Sequence, residues 1–267
     1  LLTDLAFICP VCKEKISAGE NTRAFSCCNN HTFDIAKEGY VNLLLGNKSG
    51  DKTGDSKESA ISRHAFLEKG YYSCLKKAIG ERLSGTVLDI CCGEGYYDEY
   101  DGTFYGFDIS REMVKMASKR YKNELPDHHY FVANLSSIPI KSKSIDTAMH
   151  LFAPFNEAEF SRILKDDGVL YSVIPGKMHL YEMKEIVYDT PYMNDEEAPV
   201  ENGEFLHLVS KTKVSEIVDI NGDDLYELFS MTPYFYRTSE ENKSRLLDVK
   251  GLKLTVDFVI LEYKKNL

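Results

Sequence analysis

The sequence predicts an α/β protein: a mostly parallel sheet covered on both faces, preceded by a small N-terminal module that a metal ion holds together. Two observations carry this. From residue 86 onward, apolar runs of strand length alternate with segments of helical period, the pattern of a parallel sheet with helical crossovers. Before that, four of the seven cysteines crowd into the first 28 residues, in a segment with too few apolar positions for a core of its own.

The elements follow in order. Residues 7–31 offer short β-type pieces separated by turn residues, which something other than hydrophobic burial must hold. Residues 46–59 are polar and Gly-rich, with no apolar side chain, and read as a mobile linker or a ligand-organised loop. Between residues 58 and 83, Ile61, Ala65 and Phe66 and then Leu75, Ile79 and Leu83 recur at helical spacing, broken at Gly70, so two helices are expected. Strands over 86–90, 103–108, 130–133, 145–151 and 169–174 then interleave with helices over 110–121, 156–164 and 177–188. The tail, 252–263, reads as a long strand that supplies an antiparallel edge. The expected division is a metal-binding module at 1–45, a linker loop with helices at 46–85, and the main domain at 86–267.

With 43% hydrophobic and 28% charged residues, the chain has the composition of an ordinary soluble globular protein, which excludes disorder, collagen and coiled coil as the main architecture. No apolar run approaches the roughly 20 residues of a bilayer crossing, and a cytoplasmic location is expected, with no membrane partner. The net charge of −10 argues against a simple electrostatic nucleic-acid binder. That charge is uneven: residues 1–85 carry 12 Lys/Arg against 10 Asp/Glu, whereas residues 86–267 carry 20 against 32. A polyanion would meet the N-terminal third first.

Cys9-x2-Cys12 and, after fourteen residues, Cys27-x3-His31 supply two pairs of ligands of the kind tetrahedral Zn2+ takes, each pair on a tight knuckle. Cys28 offers a competing pair with His31, so spacing leaves the third ligand open between Cys27 and Cys28. Four protein ligands leave no coordination position for water, and such a metal is structural rather than catalytic.

Val87-Leu88-Asp89-Ile90-Cys91-Cys92-Gly93-Glu94-Gly95 places an apolar strand, an acid and a Gly-containing turn in sequence. Gly93 and Gly95 let the backbone approach a ligand closely. Nineteen residues after Asp89, Asp108 ends the next apolar strand, where a carboxylate can accept from both ribose hydroxyls. The dinucleotide pattern G-x-G-x-x-G is incomplete because Cys91 stands at its first glycine position, which leans towards S-adenosylmethionine and away from NAD. Asn134 and Leu135, after the third strand, are candidates to meet the adenine; Asn134 reads equally well as a plain turn residue. His150 ends the fourth strand and reads equally as a core histidine.

These residues resemble the RlmA family of ribosomal RNA large-subunit guanine-N1 methyltransferases, which includes macrolide-resistance enzymes. The resemblance covers nearly the whole chain. Its most specific stretch runs from Cys27 and His31-Thr32-Phe33-Asp34-Ile35-Ala36-Lys37-Glu38-Gly39-Tyr40-Val41-Asn42-Leu43 to Gly54-Asp55-Ser56 and Arg63-x-Ala65-Phe66-Leu67-x-x-Gly70-x-Tyr72. Cys92-Gly93-Glu94-Gly95-Tyr96-Tyr97, Phe152-Ala153-Pro154, Pro175-Gly176-x-x-His179-Leu180 and Met231-Thr232-Pro233 extend it.

The resemblance implies a class I, Rossmann-like methyltransferase domain binding S-adenosylmethionine, a zinc module that recognises RNA, and a homodimer whose two zinc modules help form the RNA cleft. It implies Cys9, Cys12, Cys27 and His31 as the set for one structural zinc. It carries cofactor contacts to Tyr72, Gly93, Glu94 and His179. The chain departs from the family pattern at Cys91, where a glycine is usual, and in the short segment 97–103. Lys37, Arg63, Lys76 and Lys77 read equally as phosphate contacts or as a solvated face.

The implied reaction is methyl transfer to N1 of a guanine in a hairpin of domain II of 23S rRNA. Guanine N1 bears a proton and is hidden by pairing, so a proton acceptor and an unstacked target are expected. Asp146, His150, Asn156 and Glu157 are the candidates near the end of the fourth strand. Two other classes stay open: a small-molecule methyltransferase with an accessory zinc knob, and a non-catalytic RNA-binding protein that keeps the fold.

Overall fold

The computed structural model describes residues 5–19, 22–46, 57–232 and 234–266. The expected linker at 46–59 and the Gly54-Asp55-Ser56 motif lie largely or wholly outside these residues, as does Pro233.

A three-stranded antiparallel sheet, β1 (Ser17–Ala18), β2 (Ala24–Ser26) and β3 (Thr32–Asp34), forms the N-terminal module, and β4 (Val41–Asn42) follows. Next come α1 (Lys57–Glu68) and α2 (Ser73–Gly80), on either side of Gly70, which turns the chain at φ +80°. The main sheet contains β5 (Val87–Ile90), β6 (Phe104–Asp108), β7 (His128–Val132), β8 (Ile145–Leu151), β9 (Leu164–Pro175), β10 (Leu206–Asn221) and β11 (Gly251–Lys265). Its helices are α3 (Arg111–Tyr121), α4 (Glu157–Ile163), α5 (Tyr181–Val187), α6 (Gly222–Met231) and α7 (Glu240–Ser244).

The eight strands run in the order β10-β11-β9-β8-β5-β6-β7-β4. All are parallel from β9 to β4, whereas β11 runs antiparallel to β9 and β10 antiparallel to β11. This is the class I methyltransferase arrangement. The central strand β5 is buried at all four residues, Val87-Leu88-Asp89-Ile90, because both faces of the sheet are covered.

The structure corrects four expectations. First, β11 is antiparallel but interior; the edge is β10, which sequence reading missed because Lys211, Lys213, Glu216 and Asp219 interrupt its apolar residues. Second, the N-terminal segment does have a core, borrowed from the main sheet. Phe7 packs edge-on against Phe25, Tyr105 and Phe131, at 5.1 to 5.5 Å between ring centres, and Ile16 is fully buried. Third, Val41-Asn42 pairs with Phe131-Val132, so the last strand before residue 45 belongs to the main sheet. Fourth, the helix expected over 177–188 is confined to Tyr181–Val187, because residues 176–180 turn and Leu180 takes φ +59°.

No helix joins β5 to β6 or β7 to β8. On one face α1 to α3, α5 and α6 provide the cover; on the other, the zinc module packs with α4 against Leu88, Ile90, Tyr105 and Phe107. The module therefore fills ground that a β7–β8 crossover helix would otherwise occupy, and bridges at Phe7–Ile140 and Lys141 N–H to Ala6 O stitch it there.

Candidate active site and metal centre

Two knuckles build the metal centre. Lys13 N–H donates to Cys9 O and Asn30 N–H to Cys27 O, and each knuckle closes on a left-handed residue, Lys13 at φ 64° and Asn30 at φ 62°. Cys9 Sγ lies 3.5 Å and Cys27 Sγ 3.4 Å from His31 Nδ1, and Cys12 Sγ lies 3.7 Å from Cys27 Sγ. Four Zn–ligand arms of about 2.0 to 2.3 Å at tetrahedral angles require ligand separations of roughly 3.4 to 3.8 Å, which these atoms meet. The donor set therefore fits zinc. Cys28 is exposed and outside the cluster, so Cys27 is the third member. The Cys12 thiol is lowered to about 6 by its contact with Asn29 and by a backbone N–H, towards the thiolate a metal needs.

The second site lies at the carboxyl ends of the parallel strands, where open α/β sheets place their ligands. After β5 the chain turns through Cys91 at φ 61°, Gly93 at φ 56° and Gly95 at φ 80°. A Cβ added at Gly93 would meet nothing within 4 Å, so the loop presents bare backbone to an open space. At Gly95 a Cβ would lie 3.0 Å from Ala117, which is why the loop can press against α3. Asp108 accepts from Gly93 N–H at 3.1 Å and Ser110 N–H at 2.8 Å, joining the loop to the end of β6.

A cavity of about 560 Å³ opens beside this loop, lined by Cys91, Ile109, Asn134, Leu135, Pro154 and Phe155. A smaller cleft of about 60 Å³ lies on the other side of Cys91, lined by Arg63, Asp89, Gly93, Glu94, Tyr97 and Phe152. In that cleft Asp89 Oδ1 and Glu94 Oε1 are buried acceptors with no protein partner. Buried acceptors are ordinarily satisfied, so these fit a ligand that brings donors, as the ammonium of S-adenosylmethionine does. The other oxygen of Glu94, Oε2, is held by Arg120 at 2.9 Å and His64 at 3.0 Å. Burial opposes the charge on Arg120, but Glu94 and Glu68 beside it hold the guanidinium protonated.

Tyr72 and His179 meet although 107 residues separate them, His179 Nε2 lying 3.3 Å from Tyr72 Oη. Asp257 N–H donates to His179 Nδ1 at 3.2 Å, which puts the ring proton on Nε2, and burial pushes the imidazole down to about 3. His179 is thus a neutral donor. Both rings pack on Phe258, which is fully buried. Asn194 holds the turn before His179: its Nδ2 donates to Gly176 O and His179 O, while its Oδ1 accepts from Lys184 Nζ and Tyr234 Oη.

The remaining candidates have other employment. His150 is buried, with Nδ1 on Ser172 Oγ and Nε2 on Pro154 O, both at 3.0 Å, and burial lowers it to about 4. Asn156 caps α4 through Glu159 N–H, and Glu157 accepts from Phe205 N–H and Leu206 N–H. Asp146 is at the amino end of β8, not its carboxyl end, and binds Lys165 and Thr86 N–H. Asn134 makes a local turn with Ser136, and Leu135 is half-buried in the cavity wall. Arg63 lines the cleft, Lys76 pairs with Glu99 at 3.0 Å, and Lys37 and Lys77 are exposed.

Sequence reasoning missed Asp98, Asn194, Asp257 and Phe258. Asp98 is fully buried beside Asp89 and accepts from Tyr130 Oη at 2.9 Å; burial, above all, pushes its carboxyl up to about 6. Its place in the short segment after the glycine loop was the available signal.

The RlmA N-terminal zinc-ribbon model matches residues 7–48, and a methyltransferase-domain model matches residues 87–168. A Bacillus subtilis (strain 168) protein assigned by name to 23S rRNA (guanine-N1) methylation is 30% identical over 278 residues, covering 96% of this chain and 95% of the relative. The chain belongs to the RlmA methyltransferase family. The 23S rRNA (guanine(748)-N(1))-methyltransferase of Streptomyces fradiae is 26% identical, over 94% of this chain and 95% of its own length. As an RlmA-family enzyme, the protein uses S-adenosylmethionine and carries one structural zinc, and both donor sets described above fit those groups.

Proposed function

We propose that this RlmA-family protein methylates N1 of a guanine in a hairpin of domain II of 23S rRNA. The observation that carries the reading is the match to a family relative along nearly the full length of both chains, zinc ribbon included.

In this reading Asp89 and Glu94 receive the cofactor's ammonium, and His179 and Tyr72 hold its methionine end. Asp108 takes the ribose hydroxyls, while Asn134 and Leu135 border the adenine. Held by these residues, the cofactor would supply an electrophilic methyl group for N1 and leave as the neutral thioether. The protein's share is alignment, which converts a bimolecular displacement into an oriented one. The N1 proton leaves to solvent at the open cavity mouth, since His150 has both ring nitrogens engaged. Lys37 and Lys77, exposed in the less acidic N-terminal third, are the phosphate contacts, and two copies of the chain form the RNA cleft in the cytoplasm.

The test is to incubate the protein with radiolabelled S-adenosylmethionine and unmodified large-subunit rRNA fragments, then map the product by primer extension. N1 methylation blocks Watson–Crick pairing, so a stop at one hairpin guanine is expected. Cofactor binding without label on RNA would overturn the reading and favour a small-molecule substrate, which the net charge of −10 would suit.

A further inference from the structure

We infer that Phe152 is the platform on which the unpaired target guanine stacks, an inference that rests on the RNA substrate proposed above. Phe152 follows β8 directly, at the carboxyl end of the sheet, and lines the cleft with Asp89 and Gly93. It is 47% exposed, a large apolar ring in the same cleft as the buried carboxylates of Asp89 and Glu94. Two other aromatic rings are comparably exposed among the described residues, Tyr192 and Phe205, and neither lines this cleft.

Its backbone is equally unusual. Phe152 takes φ +55°, a left-handed conformation that side chains with a Cβ adopt rarely and aromatic ones more rarely still. Its N–H donates to Val173 O at 3.2 Å, which pins the turn. Folding alone would favour Gly or Asn at such a position. An aromatic there combines backbone strain with exposed apolar surface, and strained residues concentrate where a ligand is held.

The ring is also supported. Phe258 backs it, with 5.8 Å between ring centres, and Phe258 is itself packed against Tyr72 and His179. Phe152 is therefore rigidly tied to the residues assigned to the cofactor's methionine end, next to which the accepting nitrogen must come. A guanine drawn out of its helix loses its stacking neighbours, and an aromatic face replaces them whatever the base. Phe152 would thus position the nucleobase plane while polar groups elsewhere read its identity.

The experiment compares wild type with Phe152→Ala, Phe152→Leu and Phe152→Tyr, using a synthetic hairpin of domain II. Anisotropy of the labelled hairpin reports RNA affinity, steady-state methylation reports kcat and KM, and calorimetry reports cofactor affinity. Stacking predicts a loss of roughly 5- to 100-fold in kcat/KM for RNA in both Ala and Leu variants, retention in Tyr, and cofactor affinity unchanged within about twofold. Leu fills similar space without a π face, so a packing or wall role would leave it near wild type and overturn the inference. Cofactor affinity falling in step with activity would also overturn it, by making Phe152 a cofactor wall. A wild-type enzyme that leaves the hairpin unmethylated overturns the substrate reading as well, whereas wild-type turnover with an indifferent Phe152→Leu overturns this inference alone.

Discussion

The metal centre and the cofactor cleft are built in opposite ways. Cys9, Cys12, Cys27 and His31 come from two short knuckles within 23 residues, and every ligand atom lies within 4.8 Å of the others. Asp89 and Glu94 line the cleft after β5, Asp108 ties its loop to the end of β6, and Tyr72 meets His179, with Asp257 behind it, from parts of the chain 107 residues apart. The centre is closed, its four positions filled by protein. The cleft is open, and keeps buried acceptors at Asp89 and Glu94 for which the protein itself provides no donor. A structural site completes itself, whereas a site for a ligand leaves part of its hydrogen bonding to be completed by another molecule.

The largest expected effect separates Cys27 from its neighbour Cys28. Cys27→Ser should abolish stoichiometric zinc, measured by chelator-released metal, and unfold the module, since structural zinc contributes folding free energy outright. Cys28→Ser should retain full zinc and full stability. Equal zinc loss in both would break the assignment of Cys27 over Cys28.

In the cleft, His179→Ala should weaken cofactor binding by about tenfold or more in calorimetry, the worth of a buried hydrogen bond to a charged group. Because burial holds His179 neutral down to about pH 3, its contribution should be flat between pH 5 and 8. A cofactor affinity that rises towards pH 5 and loses that rise in the variant would show an imidazolium instead.

Asp98 allows a smaller, signed test. Its carboxyl is raised from 3.8 to about 6, chiefly by burial, so the folded protein binds a proton that the unfolded chain has released. This group's contribution to stability is therefore complete below about pH 4, falls as pH rises to about 6, and is constant above. Asp98→Asn can keep the bond from Tyr130 and removes the charge, so at pH 7.5 it should stabilise by about 1–3 kcal/mol, or several degrees in Tm. Its advantage should vanish near pH 4; an advantage independent of pH would exclude titration as the cause.

The smallest effect belongs to Cys91, held at φ 61°, in the left-handed region that favours glycine. Cys91→Gly should relieve the left-handed strain and, after the greater chain entropy of glycine is offset, gain up to about 1 kcal/mol in a denaturant titration. A destabilised variant would mean that the thiol's packing outweighs the strain.

Much of this was legible in the sequence, for identifiable reasons. β5, β6 and β8 read as apolar runs because both their faces are covered, and α2 was visible through Leu75 and Ile79 on one face. β10 was not, since its many partly exposed positions admit Lys211, Lys213 and Glu216, which erase the apolar run. Asp146 was misplaced to the carboxyl end of β8, although a strand over 145–151 already puts residue 146 at its amino end.

Sequence by itself determined the metal set to within one cysteine, the apolar runs of β5, β6 and β8, and the glycine-containing turn after β5. These are properties of spacing, fixed by bonds and turns only a few residues long. Tertiary structure decided that Cys28 points to solvent, that β11 is interior, that Asp98 joins Asp89, and that Asn194 and Asp257 hold His179 in place. Such pairings cross from 9 to 95 positions of chain and leave no period or motif behind them, because they are set by which surfaces pack once the sheet has formed.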